Sequence, residues 1–200
     1  MKRRWFRKIK LRSVNVQDID ARLLLINLYM TQGLLFLIAI GIIWWQKISM
    51  ADMFSPLPDA GVTVITYGVL CAGLVLFTDF ALARFIPEHV TDDGGVNEKI
   101  FAGRPVWHTA VLCLVIAVCE ELLFRGAVQH MIGAYWTSVL FAAIHVRYLQ
   151  HWLMTSLVFG ISYALGWIYM QTGTLLTPIL AHFIIDFVLG YYLRGGKKNG

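Results

Sequence analysis

Six apolar segments, separated by polar breaks, organise this chain. The first covers 23–45 and ends at Gln46-Lys47; beyond a loop with Pro56 and Pro58, the second covers 61–86 and stops at Pro87. The third starts near Trp107 and runs through Cys119 into Glu120-Glu121-Leu122-Leu123-Phe124-Arg125-Gly126. A short fourth segment covers 135–147, the fifth 152–170 and the sixth 174–193, closed by Arg194-Gly195-Gly196. A helix needs roughly 20 apolar residues to cross a bilayer. The pattern therefore predicts an all-α, polytopic membrane helix bundle of about six transmembrane helices. It divides into a basic tail at 1–22, two helices and a polar loop at 23–106, a four-helix core at 107–193, and a tail at 194–200. Gly160, Ser162, Ala164 and Gly166 mark the fifth segment as a central helix, because small residues let neighbours approach closely.

Composition agrees with a bilayer as solvent. The 200 residues are 58% hydrophobic and 14% charged, with a mean hydropathy of +0.65, whereas soluble chains run near ~45–50% apolar and ~25% charged. This excludes a large soluble catalytic domain, a disulfide or zinc-finger scaffold and a nucleic-acid-binding module. Cys71, Cys113 and Cys119 all fall inside apolar runs and read as packing residues. The first apolar run exceeds the ~7–15 residues of a signal-peptide core and reads as an uncleaved anchor.

Charge then sets an orientation. With the N-terminus inside, segments 1–22, 84–107, 147–151 and 194–200 hold fifteen of the seventeen Lys and Arg residues, which places both termini in the cytoplasm. Trp44, Trp45, Trp107, Tyr135, Trp136, Trp152, Trp167, Tyr169, Tyr191 and Tyr192 gather near the proposed interfaces, as aromatic belts do. The expected location is the cell membrane, as a multi-pass protein of a prokaryotic plasma membrane, with the lipid bilayer as partner and no nucleic acid.

Against that background, Asp79, Glu120, Glu121, Arg125, His145, His182 and Asp186 stand out inside apolar segments. Each charged group there costs roughly 2.5–3.5 kcal/mol and is a functional candidate by default. Glu120 follows His108 by twelve residues, ~18 Å along a helix. Glu121 and Arg125 have the i, i+4 spacing of an intrahelical ion pair, leaving Glu120 to point elsewhere, and His182 and Asp186 have the same spacing. Pairing with Arg84 or snorkelling accounts for Asp79, which reads as non-catalytic. His89, His108, His130 and His151 fall in loops or at interfaces. Three helices can thus deliver carboxylates and imidazoles to one cavity. That set suits hydrolysis by activated water, with a Glu as general base or with a bound metal. No serine-nucleophile motif, H-E-x-x-H or Gly-rich phosphate loop occurs.

The series Glu120-Glu121-x-x-x-Arg125, Phe141-x-x-x-His145 and His182-x-x-x-Asp186, on successive helices over roughly 107–193, resembles the CPBP family of CAAX proteases and bacteriocin-processing or immunity proteins, also called Abi. The resemblance implies an intramembrane endopeptidase acting on a protein or peptide substrate in the membrane. It implies that Glu120 activates water and His145 helps orient it. His182 and position 186 would stabilise the oxyanion, with Arg125 and Glu121 supporting the site. Asn is frequent in the family where this chain has Asp186. An ionised Asp cannot donate to an oxyanion as Asn can; here it would fix the His182 tautomer, stay protonated or ligate a metal. The family has been described both as metalloproteases and as metal-independent glutamate enzymes. The cofactor expectation is none required or a divalent metal such as zinc, whose ligands would be Glu120, His145, His182 and Asp186. The first two helices match no family motif. A non-catalytic membrane binder, such as an immunity or scaffold protein of the same fold, is the alternative. A proton-relay transporter is third, without an inverted repeat or a pair of broken helices to support it.

Overall fold

The computed structural model describes residues 19–55, 60–86, 95–149 and 151–195. The basic run at 2–12, Pro56, Pro58, His89, the acidic pair 92–93 and the tail from 196 lie outside the described residues. Among those described there is helix and no strand. The elements are α1 (Ala21–Gln46), α2 (Met50–Phe54), α3 (Ala60–Phe85), α4 (Val96–Phe101) and α5 (Val106–Leu123); a π-helical turn (Phe124–Val128); then α6 (Gln129–Ile144), α7 (Trp152–Thr172) and α8 (Leu176–Arg194). Among the described residues, four helices are long and apolar enough to cross a membrane: α1, α3, α7 and α8.

Local chemistry explains the ends. The Asp20 side chain accepts from the Arg22 backbone N–H at 2.9 Å and caps α1, while Lys47 closes it in the left-handed conformation. Pro178 occupies the first turn of α8, where a missing N–H costs nothing. α5, the π turn and residues 129–132 continue as one rod that ends at Gly133, whose φ of 74° and ψ of 167° fit glycine alone, and the rest of α6 runs back, bringing the Phe141 ring to 4.8 Å from that of Phe124. α6 is thus a single helix broken at glycine, a break the residue pattern does not announce. Thirteen residues lead from Glu120 to Gly133 and twelve from Gly133 to His145. At 1.5 Å per residue both arms are ~18–20 Å long, so the hairpin returns His145 to the level of Glu120.

The core lies where α5 and α8 cross. α5 packs against α1, α8 and the π turn; α8 also packs against α3, α4 and α7, and α6 lies along α7. Leu112, Ala117, Leu122, Phe124, Leu165, Leu175, Ala181 and Ile185 are buried there. Long apolar side chains such as Trp44, Phe77 and Phe85 face outward, as expected where the surroundings are hydrocarbon.

Three expectations are corrected. His145 is not on the fourth helix but is the residue that caps it, with φ −79° and ψ 56°. Tyr169 is buried and bonded to His130 (3.0 Å), so it is no part of an interfacial belt. On α7, Gly160 is exposed, and the packed face is Ser162, Leu165, Gly166, Ile168, Tyr169 and Thr172. Gly166 is required there by close approach: a Cβ would stand 2.7 Å from Gln129 Oε1, and its carbonyl accepts from Gln129 Nε2 at 3.1 Å. Asp79 and Arg84 form no ion pair among the described residues.

Candidate active site

Glu121 and Arg125, on either side of the junction between α5 and the π turn, are both fully buried. Arg125 Nη1 donates to Glu121 Oε1 at 3.0 Å. Its Nη2 donates to the Ser162 carbonyl oxygen at 2.6 Å and to Ser162 Oγ at 3.0 Å. Two buried charges are tolerated only when paired and hydrogen-bonded, and Ser162 supplies the acceptors that Glu121 leaves unfilled. The guanidinium also lies 5.4 Å from the centroid of the Phe141 ring, a cation–π contact. π turns recur at functional sites; here the turn carries Arg125 into the bundle centre.

His182, on α8, joins this pair to the sixth-segment acid. Its Nδ1 is 2.7 Å from Glu121 Oε1 and its Nε2 is 3.4 Å from Asp186 Oδ2. Carboxylate oxygens face both ring nitrogens, so the ring donates at both or shares a proton that one acid holds. The two contacts differ in strength: 2.7 Å is a short charge-assisted bond, whereas 3.4 Å is beyond the normal range.

Glu120, one residue before the hub, points another way. Its Oε1 accepts from Gln32 Nε2 of α1 at 3.0 Å. The carboxylate lies within electrostatic reach of His182, His145 and Asp186. His145 Nδ1 is 2.7 Å from the Phe141 carbonyl oxygen. Nδ1 must carry the proton there, which leaves Nε2 as an acceptor. Phe141 therefore serves two members of the site at once, its carbonyl fixing the His145 tautomer and its ring facing Arg125.

All six sequence-derived candidates thus lie around α5 and α8, in two linked groups. Glu121, Arg125, His182 and Asp186 form one contact network, and Glu120 lies within electrostatic reach of His182 and His145 beside it. Among the described residues, no group of three or more His, Cys, Asp and Glu side chains is arranged to hold a metal. The donor chemistry agrees, because the His182 nitrogens face two carboxylates and Glu121 Oε1 already meets Arg125 and His182.

Residues 102–188 match the family described as type II CAAX prenyl endopeptidase, Rce1-like. The chain is also 47% identical over 131 residues to "Uncharacterized protein YpbD" of Bacillus subtilis (strain 168), covering 66% of this chain and 69% of that protein. The chain belongs to the Rce1-like family. It is therefore a multi-pass membrane protein of a protease family, with a peptide as the class of substrate. No solved structure matches it.

The Rce1-like match includes all six candidates and excludes α1. Two residues in contact with the site escaped sequence reasoning. Ser162 passed for a packing residue, although it accepts two bonds from Arg125. Gln32 lies outside the Rce1-like stretch in a helix without a motif; the available signal was the adjacent polar pair Thr31-Gln32 in a largely apolar run, which also contains Asn27.

Proposed function

We propose that this chain is an intramembrane endopeptidase of the plasma membrane, with about six spans and both termini cytoplasmic. It hydrolyses a peptide bond of a membrane-associated protein or peptide with water activated by Glu120. The observation that carries this reading is the division of labour between adjacent glutamates. Glu121 is committed to Arg125 and His182, while Glu120, within electrostatic reach of His145 and His182, has the Gln32 amide as its hydrogen-bond partner.

In the proposed reaction, water lies between Glu120 and the acceptor Nε2 of His145. Glu120 takes one proton as the oxygen attacks the scissile carbonyl, and the carbonyl π electrons move to its oxygen. His182, its ring fixed through Nδ1, donates to that oxyanion the Nε2–H that Asp186 holds only weakly. Collapse of the tetrahedral intermediate breaks the C–N bond, and Glu120 returns the proton to the leaving amine. Arg125 and Glu121 hold His182 in place throughout, and Asp186 keeps Nε2 protonated in the resting site. The proposed reaction uses no metal.

The test is substrate trapping. Native membranes carrying Glu120→Gln should retain a cross-linkable peptide; once identified, that peptide should be cut in proteoliposomes by wild type and not by the variant. Cleavage by Glu120→Gln at the wild-type rate refutes the assignment. One observation favours a second reading, a non-catalytic binder of the same fold: the Asp186 carboxylate, an acceptor, stands 3.4 Å from His182 Nε2 at the edge where an oxyanion would need donors. That reading expects Glu120→Gln to keep full protection or complex formation.

A further inference from the structure

We propose that Gln32 of α1 is a positioning residue for Glu120, so that a helix outside the matched family core completes the site. This rests on the reading of Glu120 as the general base.

Gln32 is 3% exposed, although α1 is largely exposed along its other faces. A buried amide in a membrane helix is unfavourable unless its polar atoms find partners. Only half of this one does so within the protein: Nε2 donates to Glu120 Oε1 at 3.0 Å, whereas Oε1 is buried without a partner among the described residues. Packing alone would have been served better by Leu or Met at this position.

The arrangement has a chemical use. A carboxylate offers two oxygens and turns about its terminal bond, so an untethered Glu120 would present either one to the reacting water. The Gln32 N–H pins Oε1 and leaves Oε2 as the base. The orphaned Gln32 Oε1 accepts a hydrogen from a donor at the carboxylate edge, which is where the attacking water or a substrate N–H stands.

The rest of α1 secures that placement. Tyr29 Oη and His108 Nε2 are 3.2 Å apart, and Gln46 Nε2 donates to the Ala127 carbonyl oxygen at 3.1 Å. His108 precedes Glu120 and Ala127 follows it, so α1 is tied to the Glu120 rod on both sides of the Gln32 contact. Gln32, Ala39 and Ile43 form the buried stripe between those ties.

The variants are Gln32→Met and Gln32→Leu, which keep bulk and helix preference and lack the amide. Cleavage of the trapped peptide in proteoliposomes should fall ~10- to 100-fold in kcat, the loss of one hydrogen bond to a charged group. KM should stay within about threefold, because the amide acts on the base rather than on ground-state binding. The unfolding temperature should move by less than about 5 °C. A structural role gives the opposite split, with a lower unfolding temperature and unchanged kcat in the folded fraction. Wild-type kcat in either folded variant overturns the proposal, and so does failure of both variants to fold. If Glu120→Gln itself cleaves normally, the proposed function falls first. If Glu120→Gln is inactive and Gln32→Met is fully active, only the Gln32 inference falls.

Discussion

Replacing Arg125 with Met tests whether the Glu121–Arg125–His182 hub holds the bundle together. The substitution keeps an unbranched apolar side chain of useful bulk and removes the guanidinium. Glu121, fully buried, would then keep His182 alone, and the two Ser162 acceptors would lose their donor. Stripping one partner from a buried ion pair costs ~3–5 kcal/mol, mostly from the charge left behind. For a chain of this size each kcal/mol lowers the midpoint by ~2–4 °C, so a drop of roughly 6–20 °C is expected. Thermal unfolding in detergent can be followed with a thiol-reactive dye, since Cys113 and Cys119 are free and buried. The double variant Arg125→Met, Glu121→Gln removes both charges and should be more stable than Arg125→Met alone, by ~1–3 kcal/mol. A single variant within ~1 kcal/mol of wild type, or a double variant less stable than the single, would refute the reasoning.

Two further outcomes follow from the same geometry. Gly133→Ala should destabilise by ~1–3 kcal/mol. No atom lies within 4 Å of the added Cβ, so the loss is of backbone origin; an unchanged midpoint would show that the hairpin turns elsewhere. Chelator-treated protein should cleave the trapped peptide at the untreated rate and contain no stoichiometric metal by elemental analysis. A loss of activity restored by added zinc would replace the glutamate-only mechanism.

Much of the architecture was legible because a bilayer imposes a simple rule on sequence. Apolar runs at 23–45, 61–86, 152–170 and 174–193 lie within two residues of the ends of α1, α3, α7 and α8. Charged residues in those surroundings were equally visible, because their cost is large and their number small. Legibility failed where the signal was neutral or conformational. Gln32 and Ser162 carry no charge, and hydropathy cannot separate an amide aimed at Glu120 from one facing a headgroup. Tyr169 fits a belt by residue type, and only tertiary packing buries it against His130. The position of His145 depended on Gly133 and on where α6 ends, both of which are matters of φ and ψ. The i, i+4 rule identified the Glu121–Arg125 pair, but it could not show that His182 completes the hub from a helix 61 residues away.

The hairpin pivoting on Gly133 makes chain length itself a functional variable. Glu120 and His145 stand at one level because the two arms contain nearly equal numbers of residues, whatever their lipid-facing side chains. Deleting one residue from either arm would turn everything beyond it by ~100° and draw it ~1.5 Å along the axis. That would carry the glutamate or the histidine off the shared face. Exposed Met131, Tyr135, Trp136 and Leu140 can therefore change freely in kind, while the segment between the two groups tolerates substitution and not insertion or deletion.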